Sequence, residues 1–417
     1  MSTPTQWVLL RVQYAQPNEP ESPIHKLPVE ILGEIFQRYL QIPRDGQRLG
    51  GMPSVSAKPS SYSTPIILDQ VCSHWRAVAL SMPALWSSIA VHLPSPYQVS
   101  LIQVWLQRAG TRPLSFWISQ SSEVGRVERT ATIDILNLSM QYSHRWKHIS
   151  LCLHDHTPYA ELYSMPLGTV GMLESADSEL TAWSRILTDR VWQAIYSSSH
   201  LCRIRWRKDP QPWGNPMPRV PWAQLTDITM CTPLRLQDLL DILRQCQKLE
   251  ILTCEIDDDP HEQFQPALLP NLRHLRLFDF GVSDTIGPFL QHLIVPSLNA
   301  LMLDRGRNTQ VFHGLAQDLQ GLLIRSQCHL EKLAIFDSAL EEDDVIRVLE
   351  VPQLEDLTEL NLSSVWVTPR TFERLTHNQD PTTVIMPHLR ALVLPRCSRF
   401  TYGATATLIM LGVVLMI

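Results

Sequence analysis

The sequence predicts an α/β chain: an all-α N-terminal module followed by an irregular solenoid, with parallel strands on its concave face and helices on its convex face. Three observations lead there. A pattern L-x-x-L-x-L, other apolar residues allowed, begins at Leu201, Leu225, Leu249, Leu272, Leu298, Leu330, Leu357 and Leu389. Between its occurrences lie segments with helical spacing, such as Leu236–Cys246 and Gly314–Ser326. Ahead of them, Leu27 to Leu40 carries two rows of apolar residues at every fourth position, one of Leu27, Ile31 and Ile35 and one of Leu32, Phe36 and Leu40.

The elements follow in order. Residues 1–23 read as a polar, proline-bearing leader. A helix over 27–40 can start at Pro28, whose missing N–H costs nothing in a first turn, and Glu30 suits the positive helix end. The Gly-, Pro- and Ser-rich stretch 41–65 reads as an inserted loop. Val71, Trp75, Val78 and Ala79 then share a helical face; Met82-Pro83 ends that helix and Leu85-Trp86 opens a short following one. The module therefore spans 24–92, a connector with a first repeat-like unit at Trp146-Ile149-Leu151 spans 93–153, and the solenoid spans 154–417. Long loops are expected at 154–181 and 207–221, and Thr368 with Pro369 opens a late helix.

No single repeat can bury its own leucines, so stacked units must share one core. Residues flanking the second leucine of each unit then project from the open strand face. They include Arg203 and Arg205, Thr229, Thr253, His274 and Arg276, Met302, and Asn361, the candidate contacts for a protein target. Arg203, Arg205 and Arg207 make the early end basic, which would suit an acidic or phosphorylated segment; a plain solvated sheet face is the alternative.

The first unit resembles an F-box, in the form found in mushroom-type fungal proteins. The resemblance is carried by Leu27-Pro28-Val29-Glu30-Ile31-Leu32 with Ile35-Phe36, by Val71-Cys72-x-x-Trp75-Arg76, and by Pro83-x-Leu85-Trp86. It covers about 65 residues, and the segments 113–119 and 144–153 look like that family's connector. The later units resemble leucine-rich repeats, but of the residues at their ninth position only Cys397 is the Asn or Cys that bonds the backbone corner. Less well hydrogen-bonded corners are therefore expected.

The F-box resemblance implies docking on a Skp1-type adaptor, and through it a cullin, so that the chain recruits an unknown protein target to a ubiquitin ligase. It nominates Leu27, Pro28, Glu30, Ile31, Leu32, Ile35, Phe36, Val71, Cys72, Trp75, Leu85 and Trp86 as adaptor contacts. The residues agree in kind, because three short helices with that apolar load hold more than they can hide alone. The alternative is that these helices only cap a leucine-rich scaffold.

Composition excludes other classes. Lys+Arg 35 against Asp+Glu 41 gives −6, which argues against a nucleic-acid binder. The eight cysteines form no C-x-x-C pair and fit neither a disulfide framework nor a zinc site, so a reducing cytoplasmic or nuclear compartment is expected. There is no phosphate loop, nucleophile elbow or H-E-x-x-H, and no catalytic residue, cofactor or metal is expected. His154 and His156 could form half a metal site, but solvated histidines are the simpler reading, as a solvated corner is for Asp257-Asp258-Asp259. The uncharged tail 401–417 falls short of the roughly 20 apolar residues of a membrane span and reads first as a last repeat helix, with a tail anchor as the alternative.

Overall fold

A computed structural model describes residues 23–41, 54–56, 64–157, 159–180, 183–207, 220–257, 264–279, 285–305, 314–362, 369–376, 385–393 and 414–416. Helix α1 (Val29–Gln41) begins one residue after Pro28, whose carbonyl accepts the Leu32 N–H at 3.0 Å. Within the stretch expected to be a loop, β1 (Ser54–Ser56) forms a strand. The helix expected to carry Val71 and Trp75 is instead two, α2 (Pro65–Asp69) and α3 (Ser73–Leu80). Val71 lies in the turn between them. Cys72 caps α3, its Sγ accepting the Trp75 N–H at 3.4 Å, so a polar atom satisfies a helix-end donor where the pattern suggested continuity. A 3-10 turn over Pro83–Trp86 leads into β2 (Ser88–His92).

Strand and helix then alternate: α4 (Pro96–Arg108), β3 (Leu114–Ser119), α5 (Arg126–Met140), β4 (Trp146–Cys152), α6 (Ala160–Tyr163), β5 (Ser175–Glu179), α7 (Arg185–Tyr196), β6 (Arg203–Trp206), β7 (Asp227–Arg235), α8 (Leu236–Leu243) and β8 (Ile251–Asp257). The series goes on through β9 (Ala267–Leu268), β10 (His274–Phe278), α9 (Ile286–Gln291), β11 (Leu293–Ile294), β12 (Ala300–Asp304), α10 (Leu315–Ser326), β13 (Lys332–Phe336), α11 (Glu342–Leu349), β14 (Glu359–Asn361), α12 (Pro369–Thr376), β15 (Ala391–Val393) and β16 (Val414–Met416). Short β9 and β11 pair with each other beside the main sheet.

The other strands form one fourteen-stranded sheet in sequence order, antiparallel between β1 and β2 and parallel from β2 onward. Its register holds along the middle of the strands, with local irregularities between Leu114 and Ser115 and between Met230 and Leu234. The second position of each unit sits beside its counterpart in the next, from Ile89 through Phe116, Ile149, Ala176, Ile204 and Ile228. The row continues through Leu252, Leu275, Leu301, Leu333, Leu360, Leu392 and Leu415. From Ile89 to Leu392 this row is buried against the helix layer, giving the shared core that the repeat pattern required.

The sheet starts earlier than the leucine pattern indicates. β2, β3 and β4 are regular members of it, and β1 adds a strand to a region expected to be all-α. The stretch 154–181, expected as a loop, contains α6 and β5. β5 keeps the register with small residues, Ala176 at 1% and Ser178 at 2% exposure. In the tail, Val414–Met416 is a strand where a helix was expected. Residues 208–219, 258–263 and 401–413, which hold most of the second expected loop, most of the acidic corner and most of the tail, lie outside the described residues, as does Thr368. Among the described residues, no helix is long and apolar enough to cross a membrane.

Although the ninth-position asparagines are missing, four of the described corners carry a buried polar residue one position earlier. Gln120, buried after β3, accepts the backbone N–H groups of His154 and Asp155 through Oε1 at 3.0 and 3.3 Å. At the same place in later units stand Asp279, Arg305 and Asp337, all buried and ion-paired to one another.

Candidate functional site

Two surfaces stand out. The first is on the N-terminal helices, where the predicted apolar stripe splits. Leu32 and Phe36 are fully buried, and Leu40 nearly so. Ile31 and Ile35, one residue back on the same helix, remain 50% and 41% exposed. Phe36 meets Trp75 of α3 with ring centroids 4.9 Å apart, which fixes α1 against α3. Gly33 lets α1 approach closely: a Cβ there would lie 2.8 Å from the Met82 thioether. The rows of α1 thus do different things, one closing the core and the other facing outward.

The nominated residues divide accordingly. Ile31, Ile35 and Val71 are exposed apolar groups, and Pro28 and Glu30 are exposed beside them in sequence. Leu27, Cys72 and Trp75 are half-buried. Leu32, Phe36, Leu85 and Trp86 are corrected from contact to core, because they are 2% exposed or less. Trp86 donates its indole N–H to the Ala79 carbonyl at 2.8 Å, packs edge-on against Trp105 of α4, and carries the Arg108 guanidinium over its ring at 4.3 Å. It joins the helices to the sheet layer. Sequence reasoning missed Val29, Ile67 and Leu80, exposed by 46%, 44% and 41%. With Ile31, Ile35 and Val71 they make six of the fifteen exposed large apolar side chains among the described residues, concentrated in 29–80. Scattered exposed apolar residues are ordinary; these six fall together in sequence, on the first three helices and the turn at Val71.

The second surface is the open face of the sheet. Between the buried rows run two rows of side chains, and the predicted target contacts occupy them in register. Arg205 sits beside Thr229, Thr229 beside Thr253, Thr253 beside Arg276, and Arg276 beside Met302; Asn361 follows two strands later. Arg203 and His274 belong to the neighbouring row. All of these but Arg203 line a groove of about 660 Å³ that reaches from Arg205 to Val393. Thr229 is buried in its floor at 8% exposure, while Arg203, Arg205, His274 and Arg276 are exposed.

The early end of this face is not simply basic. Arg207 donates to Asp177 at 2.6 Å, and Arg205 lies 3.9 Å from the same carboxylate. Burial pushes the Asp177 carboxyl above its ordinary value, and the two arginines oppose that shift. Burial likewise raises Asp227, against Arg205 and Arg203. Burial lowers His148, and Arg203 lowers it further. The arginines therefore face partly buried carboxylates as well as solvent. Asp177 could not be seen from the pattern, because β5 lacks leucines.

No family model and no curated protein matches the chain. Among solved structures, a protein from Bacteroides fragilis aligns over 72% of this chain and 73% of its own, at 14% identity and a TM-score of 0.39. The Toll–Spätzle complex of Drosophila, described as a hub in development and innate immunity, aligns over 78% of this chain and 56% of its own, at 12% identity and a TM-score of 0.28.

Proposed function

We propose that the chain is a substrate-recognition subunit of a Skp1-cullin-F-box type ubiquitin ligase. In this reading it belongs to the F-box-like proteins with divergent leucine-rich repeats and works in the cytoplasm or nucleus. The observation that carries it is the exposure of Ile31, Ile35 and Val71 on a module whose alternate residues are locked into the core. Covering those side chains with an adaptor helix would recover about 25 cal/mol for each Å² of apolar surface removed from water. The repeat face would hold a target protein along the groove between Arg205 and Val393. Such a receptor carries no covalent chemistry of its own; it raises the local concentration of target near a charged conjugating enzyme.

A second reading, a scaffold whose N-terminal helices only cap the solenoid, is favoured by the burial of Leu85 and Trp86 against the first strands. Capping accounts for those two residues but leaves Ile31, Ile35 and Val71 without a role. Pull-down of the full-length chain with a purified Skp1-type adaptor separates the readings. Retention that is lost in the Ile31→Glu/Ile35→Glu variant supports the receptor. No retention of the wild-type chain sinks it.

A further inference from the structure

The ends of β4 and β5 bring together three potential metal ligands whose residue types alone did not form a motif. Cys152 and Glu179 are the last residues of adjacent strands and stand side by side in register. The alternation that buries Ile149 and Leu151 puts Cys152 on the open face, and likewise Glu179 beyond buried Ser178. His154 follows two residues after Cys152, its backbone held by Gln120 Oε1 at 3.0 Å. The Cys152 Sγ lies 3.3 Å from His154 Nε2 and 3.6 Å from Glu179 Oε2. All three ligand atoms fall within 4.8 Å of one another.

We infer that Cys152, His154 and Glu179 form a binding site for a borderline-soft divalent transition ion of the Zn²⁺ class, with the fourth position open to water. Tetrahedral zinc with Zn–S of about 2.3 Å and Zn–N or Zn–O of about 2.0 Å requires ligand atoms roughly 3.5 Å apart. The two separations at Cys152 bracket that distance, and the third, between His154 and Glu179, is within 4.8 Å, so an ion would draw those two side chains together. One thiolate, one imidazole and one carboxylate suit zinc, whereas Ca²⁺ and Mg²⁺ demand more oxygen.

The charges also fit. A thiolate and a carboxylate balance a divalent cation, while the neighbouring Arg207 is engaged by Asp177 at 2.6 Å. The site lies on the same sheet face as the groove but several strands away from its middle. It is independent of the ligase reading.

The test is metal binding by the full-length chain, stripped with chelator and titrated with Zn²⁺ and, as a spectroscopic probe, Co²⁺. One equivalent should bind. Co²⁺ should give the strong visible absorption of a four-coordinate ion together with a thiolate charge-transfer band. Cys152→Ser should abolish that band, and His154→Ala and Glu179→Gln should each weaken binding by about tenfold or more. Circular dichroism of each variant checks that the fold is kept. Absence of stoichiometric binding overturns the site, as does a band and affinity unchanged in the folded Cys152→Ser protein.

Discussion

Arg305 donates to Asp337 at 3.0 Å and lies 3.4 Å from Asp279, with all three side chains essentially out of water. These residues directly follow the neighbouring strands β10, β12 and β13, so one guanidinium ties three repeats together at the corner. Asp337 does a second job, accepting the Ala339 N–H at 2.8 Å to set the turn that follows. Taking these groups into the interior is costly, and one guanidinium shared by two carboxylates offsets part of that cost. Arg305→Met should therefore destabilise the chain by about 3–5 kcal/mol in urea unfolding, since it leaves two buried carboxylates facing each other. Burial already raises the Asp337 carboxyl, against the Ala339 N–H and Arg305, and loss of Arg305 raises it further. A raised folded pKa means that stability is lost as pH climbs through the interval between the unfolded and folded values. The variant's deficit should be largest at neutral pH and shrink on acidification. Asp279→Asn/Arg305→Met/Asp337→Asn should recover most of the loss.

The split of α1 makes a second prediction. Leu32→Ala or Phe36→Ala empties a fully buried position and should cost about 2–5 kcal/mol. Ile31→Ala and Ile35→Ala remove half-exposed groups and should change stability by less than about 1 kcal/mol. If the receptor reading holds, the order reverses for adaptor binding. The outward pair should weaken capture in a folded protein, and the paired measurements of melting and retention check both halves.

Much of this architecture was legible because the repeat spacing is a physical requirement. Leu252, Leu275, Leu301 and Leu333 lie side by side in the sheet because only that stacking hides them, and their spacing announced it. β5 was hidden for the converse reason. Ala176 and Ser178 fill the inward positions between Ile149 and Ile204, and their small side chains carry no apolar signal. The signal available was Leu173, three residues before Ala176, the place of the first leucine in the units from Leu201 to Leu389. The surface of α1 was only half legible. Periodicity found both rows of the stripe but could not say that Leu32 and Phe36 face inward while Ile31 and Ile35 do not, because that depends on where α3 and Met82 pack. The Asp279–Arg305–Asp337 triad was invisible for a similar reason: it joins side chains 26 and 32 residues apart.

Asp155 gives a third prediction, with the opposite pH sense. Burial alone would raise its carboxyl, but the Thr157 N–H and the Arg129 and Tyr159 side chains outweigh that and hold it below the ordinary value. A depressed folded pKa contributes stability above the unfolded value of about 3.9, lost as pH falls through the folded one. Asp155→Asn should lower stability at pH 7 by about 1–3 kcal/mol, the scale of charge-assisted bonds. The gap between variant and wild type should close below pH 3.9, checked by unfolding curves at several pH values.

The open face can be probed without disturbing the fold, and Lys332 is the place to do it. Its ammonium meets Glu359 at 2.7 Å, but both side chains are about half exposed, so the pair contributes no more than about 1 kcal/mol. Lys332 and Glu359 both line the groove beside Met302 and Asn361. Lys332→Glu should therefore leave unfolding nearly unchanged while placing two like charges where a target would lie. If the groove holds the target, proximity labelling by the variant should lose those proteins that the wild type marks, and a Lys332→Glu/Glu359→Lys swap should recover proteins contacted through the pair as a unit. An unchanged labelling profile would move recognition off this stretch of the sheet, towards strands β3 to β7, where Trp117, His148, Asp177 and Arg203 line an adjoining hollow of about 310 Å³ that shares Arg205 and Asp227 with the groove.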